Sequence, residues 1–240
     1  MNTHPVPHVR AILFDVFGSV VDWRTSLIND LTAWAATNDL CANWADLVDD
    51  WRSAYTPSMD RVRKGELPWT ILDELHRSSL EILAKKHGLP NLSADDFDHI
   101  NRGWHRLKPW PDAVDGLTRL KSRYIIGPLS NGNVALLVNM AKFSGLPWDV
   151  ICSTELFRHF KPDPETYLGA AKILGLEPHQ VMLAAAHNND LAAARTCGLA
   201  TAFFPRPTEY GPRQSRDYAA DQAWDVVADN ISDLAARMGC

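Results

Sequence analysis

From residue 110 onward the chain alternates short apolar runs with helix-period stretches. Runs at 124–129, 149–153, 181–185 and 200–204 read as buried strands, and 111–123, 133–144, 163–174, 188–197 and a last stretch near 228–238 read as helices. Short, wholly apolar strands separated by helices are buried on both faces, which predicts βα units and a parallel, doubly wound, Rossmann-like sheet. One more strand, 9–14, stands at the start of the chain and ends at Asp15 with Gly18 just beyond. Between it and residue 110 the alternation stops. That segment shows only helical periodicity and carries Trp23, Trp34, Trp44, Trp51, Trp69 and Trp104, so it reads as a helical insertion. Pro109 and Pro111 bracket Trp110 where the chain re-enters the sheet. The expected organisation is a split α/β core, 1–22 and 109–240, with an inserted helical cap domain over 23–108.

Size and charge fit that plan. A chain of 240 residues, 46% hydrophobic and 22% charged, can bury a core and carry a smaller inserted unit. Lys and Arg number 24 against 29 Asp and Glu, and no basic run interrupts the net charge of -5, which excludes nucleic acid as an expected partner. No stretch approaches the ~18 consecutive apolar residues of a membrane helix. The first ten residues hold two prolines and two histidines where a signal peptide needs an apolar block, so a cytoplasmic location is expected. Cys41, Cys152, Cys197 and Cys240 lie far apart without a CxxC pair and read as reduced thiols.

In an open parallel sheet, ligands bind at the carboxyl ends of the strands. Those ends carry Asp15, then Ser130-Asn131, then His187-Asn188-Asn189-Asp190, with Lys161-Pro162 in the connection between the last two. Taken singly each has a plain structural reading. Asp15 can form a turn or cap a helix, Ser130-Asn131-Gly132 can be a turn, and Lys161-Pro162 an exposed loop. Jointly they place a carboxylate, a hydroxyl, an ammonium and a second carboxylate along one rim. A solvent-shielded carboxylate beside a lysine stays ionised and can act as a nucleophile, forming an ester that water must later cleave.

Over nearly its whole length the sequence resembles the haloacid dehalogenase superfamily. The resemblance rests on four motifs in order: Phe14 to Asp22, Leu129-Ser130-Asn131-Gly132, Phe160-Lys161-Pro162-Asp163, and Ala186 to Asp190. Magnesium phosphatases of that superfamily carry a second Asp two residues after the nucleophile as proton donor, and paired carboxylates in the fourth motif. Here Phe17 and Ala186 stand at those positions, so neither the acid nor a full oxygen shell for Mg²⁺ is expected. A halide leaves as a stable anion and needs neither. The subset resembled is therefore the type II, or L-2-haloacid, dehalogenases, and no metal or cofactor is expected.

That resemblance implies hydrolysis of a short (S)-2-haloalkanoic acid to a 2-hydroxy acid through an ester on Asp15. Carried over residue by residue, it implies the following roles. Ser19 is the hydroxyl residue beside the nucleophile, Phe17 lines the site, and Arg52 of the Trp51-Arg52 pair receives the departing halide. Ser130 contacts the substrate carboxylate, Asn131 the halide, and Lys161 the nucleophile. Asp190 pairs with Lys161 and orients the hydrolytic water. Arg52 also has a plain reading as an exposed helix arginine. Tyr167 reads equally as a family tyrosine near the lysine or as a core ring. The fourth motif departs from the family: Ala185 lacks a hydroxyl, His187 replaces an asparagine, and Asn189 replaces an aromatic of the halide cradle. His187 can bind water, take a proton or fill space.

A more polar cradle suits hard fluoride, so fluoroacetate is an expected substrate alongside chloroacetate. The segment 206–212 reads as a rigid loop that could instead shape a site rim or an oligomer contact. A homodimer is left open, since the cap tryptophans could form either an interface or a cap core. The competing readings are a Mg²⁺-dependent phosphatase and a catalytically inactive member that binds a small carboxylate. A serine hydrolase lacks its G-x-S-x-G spacing at Ser130.

Overall fold

The computed structural model describes residues 6–38, 40–89 and 92–240. Residues 1–5 of the expected core segment lie outside them. Six strands form one sheet in the order β5-β4-β1-β6-β7-β8: β1 Ala11–Phe14, β4 Ile125–Ser130, β5 Cys152–Ser153, β6 Val181–Ala185, β7 Ala200–Phe203 and β8 Val226–Val227. Every pairing in it is parallel. The α/β, doubly wound, Rossmann-like fold read from the sequence is the fold of the protein. Strand β8 is an addition. Two residues with no flanking periodicity leave too little pattern to find it, and it is held by its register against β7.

Side-chain alternation explains the two-sided burial. Ile12, Phe14, Ile126, Met182 and Ala202 pack on one face of the sheet. Ala11, Leu13, Leu129, Leu183 and Phe203 pack on the other. Helices cover both faces: α6 Ala113–Lys121, α7 Val134–Ser144, α8 Pro164–Ile173, α9 Asn188–Thr196 and α10 Ile231–Arg237. Each lies inside the stretch that periodicity assigned to it, with ends that coincide or fall short by up to three residues.

The insertion consists of α1 Trp23–Ala36, α2 Trp44–Ser53, α3 Tyr55–Arg63, α4 Leu72–Lys86 and α5 Ala94–Asn101, followed by a 3-10 turn over 102–106. It joins the sheet through a two-residue antiparallel ribbon, β2 Val21–Asp22 against β3 Lys108–Pro109. Asp22 also caps α1 by accepting from the Thr25 amide, so the chain turns directly from ribbon into helix. Trp23, Trp51 and Trp104 are almost fully buried; Trp23 stacks on Trp104, and Trp51 meets Trp104 edge-on. These three tryptophans are core residues of the chain and offer no surface for a partner.

A buried polar cluster ties the insertion to the sheet domain. Asn133, at the start of α7, donates to Asp73 of α4 (2.9 Å), and His105 Nε2 lies 3.1 Å from both oxygens of the same carboxylate. A second tie pairs Arg63 of α3 with Asp163 ahead of α8 at 2.8 Å. A third sets Arg213 of the 205–218 loop against Asp46 and Asp49 of α2.

Candidate active site

Strand order puts β1 between β4 and β6, the point where successive connections depart to opposite sides of the sheet, so a crevice opens at their carboxyl ends. Asp15 is the first residue past β1 and is held in line by its amide bonding to the Ala184 carbonyl (3.1 Å). The following turn folds Ser19 back, so its hydroxyl donates to Asp15 Oδ2 at 2.7 Å and accepts from the Ala186 amide at 2.9 Å. Arg206 fixes that turn from behind. Its Nε donates to the Ser19 carbonyl at 2.9 Å while its two terminal nitrogens grip Asp112.

Lys161 donates to Asp15 Oδ1 at 2.9 Å and also to Asp190 Oδ2. The Tyr167 hydroxyl donates to the other Asp190 oxygen at 2.6 Å. His187 completes the arrangement on the opposite edge of Asp15, with Nδ1 2.9 Å from Asp15 Oδ2 and Nε2 2.8 Å from Glu209 Oε2. Glu209, 1% exposed, further accepts from the Trp23 indole at 3.0 Å and stands 3.9 Å from Arg52 Nη2. Its approach depends on Gly18, which has φ +90°. A Cβ there would come within 2.1 Å of Glu209 Oε1.

Burial alone would favour neutral groups, and the ion pairs override it. Burial raises the Asp15 pKa, yet Lys161, His187 and Ser19 together hold it well below the usual carboxylate range. Burial lowers the Lys161 pKa, and the attraction of Asp15 and Asp190 raises it above the usual lysine value. Burial likewise lowers that of His187, while Glu209 and Asp15 push it well above the ordinary imidazole value, so the ring is an imidazolium between two carboxylates. Glu209 is correspondingly depressed against its burial, by His187 and then Arg52.

These groups border one cavity of about 570 Å³. Of the site residues read from the sequence, Asp15, Phe17, Arg52, Asn131, Lys161, His187, Asn189 and Asp190 line it. Ser19 and Tyr167 stand one layer behind, each bonded to a carboxylate that faces the cavity. Ser130 does not reach the wall: it is fully buried, and its hydroxyl accepts from the Gly132 amide at 3.2 Å. Arg52 is drawn inward, with its guanidinium 4.3 Å from the Tyr55 ring centroid and 5.3 Å from that of Trp23. Arg52 Nη1 is buried without a hydrogen-bond acceptor among the described residues.

Sequence reasoning missed Glu209 and Tyr55. Glu209 lies in the proline-bounded 206–212 loop, whose rigidity was legible but whose destination was not. Tyr55 follows Arg52 by three residues across a break between two short helices, so helical spacing did not mark it as a neighbour.

A buried carboxylate paired with a lysine beneath a helical insertion, at the switch point of a parallel sheet, is the arrangement of a capped α/β hydrolase. The chain belongs to the haloacid dehalogenase-like hydrolase family, whose model matches residues 9–198. Among solved structures it is similar to the L-2-haloacid dehalogenase PA0810, with 51% identity, a TM-score of 0.94, and coverage of 96% of this chain and 98% of that one. It is also similar to the defluorinating L-2-haloacid dehalogenase Rha0230, with 48% identity, a TM-score of 0.95 and 98% coverage of both chains. Among characterised relatives, (S)-2-haloacid dehalogenase 4A of Burkholderia cepacia is 27% identical over 96% of this chain and 100% of its own length.

Proposed function

We propose that the protein hydrolyses short (S)-2-haloalkanoic acids to 2-hydroxy acids through an ester on Asp15, with a core of 1–22 and 109–240 and a cap of 23–108 enclosing the site. The observation that carries this reading is the pairing, in one cavity, of an Asp15 held by Lys161 with the cationic side chain of Arg52. The first is a nucleophile and the second an anion acceptor.

Among the described residues Asp15 Oδ1 accepts from Lys161 alone, whereas Oδ2 accepts from Ser19 and faces His187. Oδ1 is the freer oxygen and attacks C2. The C–halogen electron pair leaves on the halide, toward Arg52 and Asn131. Oδ2 becomes the ester carbonyl, polarised by the Ser19 hydroxyl. Substrate carboxylate and halide both meet cations in this cavity, although the chain as a whole is negative.

Esterification removes the charge of Asp15, one of the two anions that keep His187 protonated. His187 then releases a proton, which is the proton the overall hydrolysis produces. The neutral ring, held through Nε2 by Glu209, takes a proton from the water that attacks the ester carbonyl. Asp15 and the imidazolium are thereby restored together. In this scheme His187 is the base, and Asp190 holds Lys161 and borders the water's approach.

Fluoroacetate is included in the proposed substrates. Asn131, Asn189 and Arg52 line the cavity and give a departing halide N–H donors, which a small hard anion needs. The defluorinating relative at 48% identity supports the same reading.

The test is halide release from (S)- and (R)-2-chloropropionate, with and without EDTA, followed by a single turnover in ¹⁸O-labelled water. Turnover of the (S) acid alone, unaffected by chelation, with the label in the Asp15 peptide and none in the first product, supports the proposal. Label in the first product contradicts the ester.

A further inference from the structure

We infer that the Tyr55 hydroxyl donates a hydrogen bond to the departing halide and sets how the enzyme ranks leaving groups. The inference rests on the dehalogenase reading above. Tyr55 is the first residue of α3, lines the cavity, and lies under the Arg52 guanidinium with 4.3 Å between ring centroid and Cζ. Its ring is held edge-on to Phe17, with centroids 6.3 Å apart, so the hydroxyl has little freedom to swing away.

Asn131 borders the same cavity. Its carbonyl oxygen accepts from the Lys161 backbone amide at 2.8 Å, which leaves its amino group as a spare donor. No acceptor for the Tyr55 O–H stands among the described residues. Burial, the largest influence, keeps the phenol protonated against the pull of Arg52.

Three donor-bearing side chains thus border one cavity: the Arg52 guanidinium, the spare Asn131 N–H and the Tyr55 O–H. An anion in that cavity meets donors on its wall. No proton is transferred; the C–halogen bond breaks, its electron pair departs on the halide, and the O–H stabilises the developing charge. Hydrogen-bond assistance matters most where charge is most concentrated, so its loss penalises fluoride more than chloride and chloride more than bromide.

The test compares Tyr55→Phe with the unaltered enzyme on fluoro-, chloro- and bromoacetate. The variant keeps the ring, its packing and its contact with Arg52. Chloride release is expected to fall about tenfold, a loss suited to one hydrogen bond to a charged group, and bromide release by about threefold or less. Fluoride release falls furthest wherever the unaltered enzyme shows any. Product inhibition gives a second readout: the fluoride inhibition constant rises about tenfold while that of bromide hardly moves. Equal losses for chloride and bromide, or no loss for either, overturn the inference while leaving the dehalogenase reading standing. Absence of halide release by the unaltered enzyme on all three acids removes both.

Discussion

Glu209 Oε2 stands 2.8 Å from Nε2 of His187, a contact between two buried side chains contributed by different connections of the sheet. It joins the 205–218 loop to the end of β6 and places a second carboxylate behind the ring that faces Asp15. In the proposed scheme this pair governs cleavage of the ester and has no part in forming it.

Glu209→Gln keeps the size and the indole contact of Glu209 but removes its charge. The first halide is released at near-normal rate, and steady-state turnover falls by about 10²-fold or more as the ester accumulates. Intact-mass spectrometry after mixing with chloroacetate reads the adduct directly. An unchanged burst with no accumulated adduct would falsify the role given to the pair.

Gly18→Ala should reproduce that defect from the other side. Its Cβ would collide with the Glu209 carboxylate, and its φ of +90° is strained for any L side chain. A variant that stays folded, accumulates ester and retains its first turnover is expected. Circular dichroism separates this from simple unfolding.

The pH dependences of turnover and stability run in opposite directions. His187 must be neutral in the ester state, so turnover rises with pH. Its folded-state pKa in the free enzyme is raised, so the stability it contributes is complete below the unfolded value of about 6.5 and is lost as pH climbs through the folded value. Asp15 acts oppositely: its pKa is depressed, so its contribution is present above 3.8 and is lost as the pH falls below that. Thermal melts from pH 5 to 10 should therefore show an alkaline decline that His187→Asn flattens.

Lys161→Ala leaves Asp15 and Asp190 buried without the ammonium between them, Asp15 keeping His187 and Asp190 the Tyr167 hydroxyl. Removing one partner of such a group costs about 3–5 kcal/mol, read by urea denaturation. Halide release is expected to vanish. Asp15→Asn, which leaves Lys161 paired with Asp190, should vanish equally in activity but lose less stability.

Asp73 joins the insertion to α7 through Asn133 and His105. Asp73→Ala removes both bonds and strands the amide of Asn133. The expected cost is about 1–3 kcal/mol, with faster hydrogen exchange in α4 and at the start of α7 and a raised KM. Exchange confined to α4 alone would show that this contact does not couple the two parts.

Much of the architecture was legible because its signals are local. Apolar runs of strand length and helical periodicity marked β1, β4, β6, β7 and the five helices packed on them. The two-residue strands β2, β3 and β8 carried no such signal, whereas β5 lay within the apolar run 149–153. Asp15 and Asn131 were legible because each sits at a strand end, where the fold class itself points to the site, and Lys161 and Asp190 because they complete the motif order that the resemblance supplies. Ser130 met the same rule, yet its hydroxyl turned to the Gly132 amide, since a buried hydroxyl next to a turn takes the nearest backbone donor.

Chain order and residue chemistry by themselves determined a parallel sheet, an inserted run of helices and a rim bearing a carboxylate beside a lysine. Only the tertiary structure decided that Glu209 reaches His187, that Tyr55 lies beneath Arg52, and that Trp23, Trp51 and Trp104 face inward. The reason is physical. Periodicity and strand-end position act over a few residues, whereas the charge state of His187 is set by carboxylates 172 and 22 residues away in the chain, brought within 3 Å only when the sheet and its loops close around them.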